Sequence, residues 1–259
     1  MMKKILYEKV DKGRMNKPFT LIEILVVVAI IGILASLLLP MLSKSRKKAK
    51  IAVCKSNQKQ INYALVMFTD DNDGYLPAPS GHVSWDDMLS GYDGRPTLTD
   101  AHKAQNVLTK SDFGDSYGEL YRCPLSEGNT SANLEMTYAI TVKGSHKAQQ
   151  GLMSTAASTT ALSEVSDADE TIMLFDYNRS SSYTRMGRNV FNLARCTDLY
   201  KWEVLESDGM MHGGLDVNYL FVDGHVQSMD FYATFVPYGA GSWDVRGGMW
   251  DAHKDDPNN

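Results

Sequence analysis

Four side chains that could do chemistry lie close together in this sequence: His212, Asp216, Asp223 and His225. Imidazole with carboxylate can hold zinc or another divalent ion. The local sequence gives each residue a plainer use. Asp223 precedes Gly224 in a turn signal, and His225 opens the β-prone run after it. His212 sits between Met210-Met211 and Gly213-Gly214, a loop setting suited to backbone hydrogen bonding. Structural roles are favoured, so no metal and no cofactor is expected. A second group, Asp70-Asp71-Asn72-Asp73-Gly74, offers oxygen ligands of the kind calcium takes. It lacks the spacing of a calcium loop and a later bidentate Glu, and reads as a solvated turn that ends a helix. No Gly-x-Ser-x-Gly, phosphate loop or His-Glu-x-x-His occurs, and no nucleophile is paired with a base. No catalytic residue is assigned and an enzyme is not expected. Cys54, Cys123 and Cys196 allow at most one internal disulfide. Cys54 lies near an apolar stripe, where a buried cysteine acts as a small hydrophobe.

The remaining chemically pointed residue is Glu23, alone in the apolar run Phe19–Pro40. About 20 apolar residues span a bilayer as a helix, and a helix satisfies its own backbone there. A carboxylate in such a span is costly and is a functional candidate by default. Its alternative is an interfacial side chain reaching into headgroups. A secretory signal peptide would need a shorter apolar core and a small-residue cleavage site. Here the core is long, and basic residues follow it directly.

Phe19-Thr20-Leu21-Ile22-Glu23, the apolar run and Pro40 resemble the N-terminus of type IV pilins and type II secretion pseudopilins. The resemblance implies that a prepilin peptidase cuts between Pro18 and Phe19 and methylates the new amine. Counted from Phe19, Glu23 is fifth, Gly32 fourteenth and Pro40 twenty-second, as in that family. The family has Gly before the cut, where this chain has Pro18. Met15 is an alternative start that shortens the leader to Met-Asn-Lys-Pro. In the filament reading, Glu23 pairs with the methylated amine of a neighbouring Phe19. Phe19, Glu23 and Pro40 are then the assembly residues.

Charge is unevenly distributed. Residues 1–18 carry a net +4, residues 41–59 carry seven Lys or Arg and no acid, and residues 60–259 are near −15. An acidic domain of that size repels phosphate backbones, so no nucleic acid partner is expected. Basic residues on both flanks leave orientation undecided by the positive-inside rule. The resemblance implies a leader in the cytoplasm, a single pass of the inner membrane and a C-terminal domain beyond it.

Past Pro40, Leu42, Ala49, Val53, Ile61, Leu65 and Phe68 recur at helical spacings. One helix is predicted from about residue 20 to 68, on the order of 70 Å long and kinked at Pro40. Residues 75–122 read as loop with short helices, one being Trp85–Leu89 capped by Ser84. Strands are predicted at Glu135–Val142 and Thr171–Tyr177, and an exposed loop at 151–168. Asp223-Gly224 between two β-prone runs predicts a hairpin over Val217–Met229 with a type I′ turn.

Asp71–Pro77, Cys123-Pro124 and His212…Asp223-Gly224 are also similar to a pseudopilin-like family with a C-terminal His, nine residues, then Asp-Gly. This chain has ten intervening residues. That resemblance gives His212, Asp223 and Gly224 as a structural motif. The expected fold is α+β and pilin-like: a long N-terminal transmembrane and amphipathic helix packed on a C-terminal antiparallel sheet. The expected divisions are a leader at 1–18, a span at 19–40, a helical continuation at 41–68, a globular domain at 69–250 and a polar tail at 251–259. The function implied is a pseudopilin or minor pilin of a secretion or pilus-like filament. Its partners would be prepilin peptidase, other pilin subunits, the inner membrane and the assembly machinery. The alternative is a membrane-anchored extracytoplasmic binding protein or enzyme, for which the helix is only a tether.

Overall fold

Leu, Ile, Val and Ala dominate residues 21–39, and straight-chain polar residues follow, so nothing but Pro40 interrupts helix formation. The computed structural model describes residues 20–105, 107–126, 132–141, 152–153, 159–176, 193–194, 212, 216–234, 236–238, 242–244 and 249. Helix α1 runs from Leu21 to Asp70 and continues through Pro40. The chain divides into two units, Met1–Arg46 and Lys47–Asn259. In the first, every described side chain from Thr20 onward is exposed. The leader, Pro18, Phe19, Trp250 and the 251–259 tail lie outside the described residues.

In the second unit α1 buries Cys54, Gln58, Ile61, Asn62, Ala64, Leu65, Phe68 and Thr69. Leu42, Ala49 and Val53, expected on that stripe, are exposed. The inward face starts at Cys54 and includes polar members, which an apolar-only count of periodicity passes over. The helix stops where the Asx-rich segment offers a turn. The Gly74 and Asn72 N–H groups donate to Thr69 O, and Asn72 Nδ2 donates to Phe68 O at 2.7 Å. Asp73 and Gly74 take φ of 53° and 83°, which only small or Asx residues accept readily.

The segment 75–122 holds short helices: α2 (Trp85–Met88), α3 (Asp100–Lys103), α4 (Lys110–Phe113) and a 3-10 turn at Asp115–Tyr121. At α2 the Asp87 carboxylate accepts from the Ser84 N–H at 2.9 Å, closing the first turn as a capping acid does. This segment is packed rather than loose, because Trp85, Leu89, Leu108 and Tyr121 are fully buried in the core. A buried charge cluster pins it. Arg95 pairs with Asp93 at 2.6 Å and lies 3.7 Å from Asp86, and its guanidinium covers the Tyr121 ring at 4.4 Å.

Strands β1 (Tyr138–Thr141), β2 (Ile172–Asp176), β3 (Leu193–Ala194), β4 (Asp216–Phe221) and β5 (Val226–Asp230) form a sheet in the order β3-β1-β2-β4-β5. The β1–β2, β2–β4 and β4–β5 pairs are antiparallel, and β3 joins β1 in parallel. Central β2 is buried at every position, as its unbroken apolar run requires, whereas edge strand β5 is mostly exposed. A separate two-stranded ribbon pairs β6 (Val236–Tyr238) with β7 (Ser242–Asp244). The 151–168 stretch departs from the exposed loop expected of it. Leu152, Met153, Thr160, Ala161 and Val165 are buried there. Leu76 N–H donates to Thr160 O and Leu162 N–H to Gly74 O, tying the stretch to the turn after α1. Its small residues suit that close backbone approach.

The hairpin forms, but its turn is not type I′. Gly224 N–H donates to Phe221 O at 2.9 Å and Phe221 N–H to His225 O at 3.0 Å. Gly224 has φ of 90°, and Asp223 is not at positive φ. The loop is therefore three residues, a type I-like turn closed by a left-handed glycine bulge. The Asp223 carboxylate accepts from His225 N–H at 3.0 Å, which favours this turn over the two-residue alternative.

Candidate functional site

At the start of α1, Thr20 and Glu23 cap each other. Glu23 Oε2 accepts from Thr20 N–H at 2.8 Å and from Thr20 Oγ1 at 2.7 Å, while Glu23 N–H donates to Thr20 Oγ1 at 3.3 Å. Thr-x-x-Glu ahead of an apolar run is the sequence signature of a capping box. From Leu21 to Leu42 each large apolar side chain is about half or more exposed. The helix carrying them is long and apolar enough to cross a membrane.

The C-terminal residues separate into two places. Asp223 and His225 stay together, with Nδ1 and Oδ1 2.6 Å apart and the imidazole stacked on Phe221 at 4.2 Å. Gly224 approaches α1 so closely that an added Cβ would lie 2.6 Å from Asn62 Nδ2. His212 is elsewhere. Its Nε2 is 3.5 Å from Cys123 Sγ and 3.3 Å from Asp176 Oδ2. Cys123 is joined to Cys54 by a disulfide, with Cα atoms 5.1 Å apart. Cys54 is buried as expected, but it is a cross-link rather than a plain hydrophobe. Cys196 lies outside the described residues.

Four elements build this cluster. α1 supplies Cys54, the segment after the 3-10 turn supplies Cys123, the end of β2 supplies Asp176, and the chain before β4 supplies His212. All four are buried. Cys123 N–H donates to Thr137 Oγ1 at 2.6 Å, and Asn218 N–H donates to Asp176 Oδ2 at 3.1 Å. Burial pushes the Asp176 carboxyl up to about 8, against the Asn218 N–H that favours its anion. Burial, with Lys47 and Lys55, holds the His212 imidazole down to about 4. The two groups face each other at 3.3 Å with both shifts favouring their neutral forms. Sequence spacing missed this grouping because its members are as much as 158 positions apart, from Cys54 to His212.

A long apolar helix with a four-stranded antiparallel core sheet defines an α+β, pilin-like arrangement. Residues 16–39 match the prokaryotic N-terminal methylation motif. The chain is similar to type II secretion system core protein G of Pseudomonas aeruginosa, 44% identical over 68 residues, covering 26% of this chain and 48% of that protein. It is similar also to core protein G of Pectobacterium carotovorum, 38% over 71 residues, covering 27% and 46%. The type IV major pilin protein PilA of Myxococcus xanthus is 42% identical over 60 residues, 23% of this chain and 27% of the pilin. The chain thus spans about half the length of the core G relatives. No solved structure matches it.

Proposed function

We propose that this chain is a structural subunit, a pseudopilin or minor pilin, of a type II secretion or type IV pilus-like filament. The observation that carries the reading is the coincidence of two features. The N-terminal methylation motif covers residues 16–39, and that stretch from Thr20 onward is exposed throughout. An apolar surface this long needs lipid or other helices around it. In the filament it passes from one to the other. Prepilin peptidase cuts before Phe19 and methylates its amine, and the domain from Lys47 lies beyond the inner membrane. The subunit does no catalysis. Its divisions are a leader at 1–18, a span at 19–40, a helical continuation at 41–68, a domain at 69–250 and a tail.

The capping box supports a second reading, a plain anchor, because it gives Glu23 a local use that needs no neighbour. Two substitutions separate them. Glu23→Gln keeps an acceptor at the third helical position, which a capping box tolerates, and removes the charge. Glu23→Ala removes both. In the filament reading both variants insert into the membrane but fail to cross-link to neighbours through cysteines placed in 24–39. In the anchor reading Gln behaves as the unmutated protein. Mass spectrometry of the membrane fraction should also show loss of residues 1–18 and one added methyl. An intact leader in a functional filament would overturn the processing step.

A further inference from the structure

Cys54, Cys123, Asp176 and His212 present two sulfurs, an imidazole nitrogen and a carboxylate oxygen, all within 4.8 Å of one another. Two thiolates, an imidazole and a carboxylate make a four-donor set for a borderline-soft divalent ion, zinc above all. At Zn–S near 2.3 Å and Zn–N or Zn–O near 2.0 Å, tetrahedral donors sit about 3.3–3.8 Å apart. The nitrogen–sulfur contact of 3.5 Å and the nitrogen–oxygen contact of 3.3 Å are already in that range. The two sulfurs, bonded to each other, are too close. Asp176 Oδ1 is buried and makes no hydrogen bond of normal geometry, although the Gln58 and Asn218 side chains lie near enough to favour the Asp176 anion; an under-satisfied buried oxygen costs free energy that a further partner would relieve. Asp176 Oδ2 and the Cys123 backbone are held by Asn218 N–H and Thr137 Oγ1, so the donors are positioned by further hydrogen bonds, as metal ligands are.

We propose that these four residues form a redox-gated zinc site: the reduced chain binds one divalent ion between Cys54, Cys123, His212 and Asp176, and the disulfide closes the site. A dithiol donor passes two electrons and two protons to the disulfide and becomes a disulfide itself. Zinc then forms two S–Zn bonds, and the two thiol protons go to water. Reoxidation by a disulfide oxidant takes two electrons from the sulfurs, reforms the S–S bond and releases the ion. The resulting site carries one net negative charge, and Lys47 and Lys55 lie close enough to His212 to act on it electrostatically. Metal and disulfide thus serve the same cross-link between α1 and the segment at Cys123, one before oxidation and one after.

The test uses the full chain in detergent micelles, with Cys196→Ser throughout so that the third thiol cannot contribute. The protein is reduced anaerobically with a phosphine, the phosphine is removed, and cobalt(II) is added as probe. Thiolate-to-cobalt charge transfer and intense tetrahedral d–d bands should saturate at one equivalent and vanish when zinc displaces cobalt. The oxidised protein should show neither. His212→Ala and Asp176→Asn should each weaken cobalt binding by more than about 100-fold, since loss of a direct ligand exceeds the roughly 10–100-fold that loss of an outer-shell partner costs. Absence of these bands in the reduced protein overturns the proposal. So does unchanged affinity in both variants, or loss of fold on reduction that cobalt does not restore.

Discussion

At Gly224 two demands meet in one atom. The backbone sits at φ of 90°, and the place of a Cβ is 2.6 Å from Asn62 Nδ2. Gly224→Ala should cost on the order of 1–3 kcal/mol, read as a lower melting temperature. Adding Asn62→Ala should recover the steric share and leave the backbone share, so the pair is non-additive. Strict additivity would mean that turn and helix do not touch. Asp87 makes a pH prediction. Burial and the neighbouring Asp86 push its carboxyl up to about 8 in the folded chain, from 3.8. The folded state holds this proton more tightly, so its stabilisation is full below about pH 4 and is lost as pH climbs towards 8. Asp87→Asn should flatten that decline in melting temperature without abolishing it, because buried Asp176 shifts the same way. His212 has the opposite sign: its imidazole is held down to about 4 from 6.5, so stability falls as pH drops through that interval. A decline between pH 4 and 8 as steep in Asp87→Asn as in the unmutated protein would refute the Asp87 assignment. Gly224 and His212 do not declare these roles in sequence, since each takes its role from a partner on another element, and Asp87 does not because its burial is set by the rest of the fold.

At the scale of elements, what can be read in advance is what depends on near neighbours. The long helix, the β2 run, the Ser84 start of α2 and the Asp-Gly hairpin all follow from patterns within a few residues. The turn type did not, although the Asp223–His225 hydrogen bond that selects a three-residue loop is itself local, because Asp-Gly serves two-residue and three-residue loops alike. Nor did the inward face of α1, where Gln58 is buried because its Nε2 donates to Asn218 O on β4 at 3.2 Å. The disulfide is the clearest long-range element. It joins α1 to a segment 69 residues away. Chain-entropy arguments give such a loop about 4 kcal/mol of stabilisation. Cys123→Ser without added metal should lower the denaturation free energy by about that much, and reducing agent should reproduce the effect. A loss under about 1 kcal/mol would mean that packing around Cys54 holds the helix without the bond.

At the scale of the whole molecule, the buried core contains no residue before Cys54 among the described residues. Residues 21–46 contribute an apolar surface and no packing, so their removal should change solubility without changing the fold. The unit from Lys47 contains the sheet, the disulfide and the Arg95 cluster. A fragment beginning at Lys47 should therefore be soluble without detergent and melt within about 2–4 °C of the full chain in micelles, the shift that 1 kcal/mol produces in a domain of this size. It should keep Cys54 and Cys123 unreactive to alkylation, and it should no longer join filaments. The reasoning turns on where burial begins. An apolar helix that served the core would bury one face, whereas this one buries none until its second half. A fragment that aggregates or melts far below the full chain would place part of the folding energy in residues 21–46. The N-terminal half of α1 would then be a structural strut of the domain, and its exposure would need a partner within the same chain rather than in lipid or a filament.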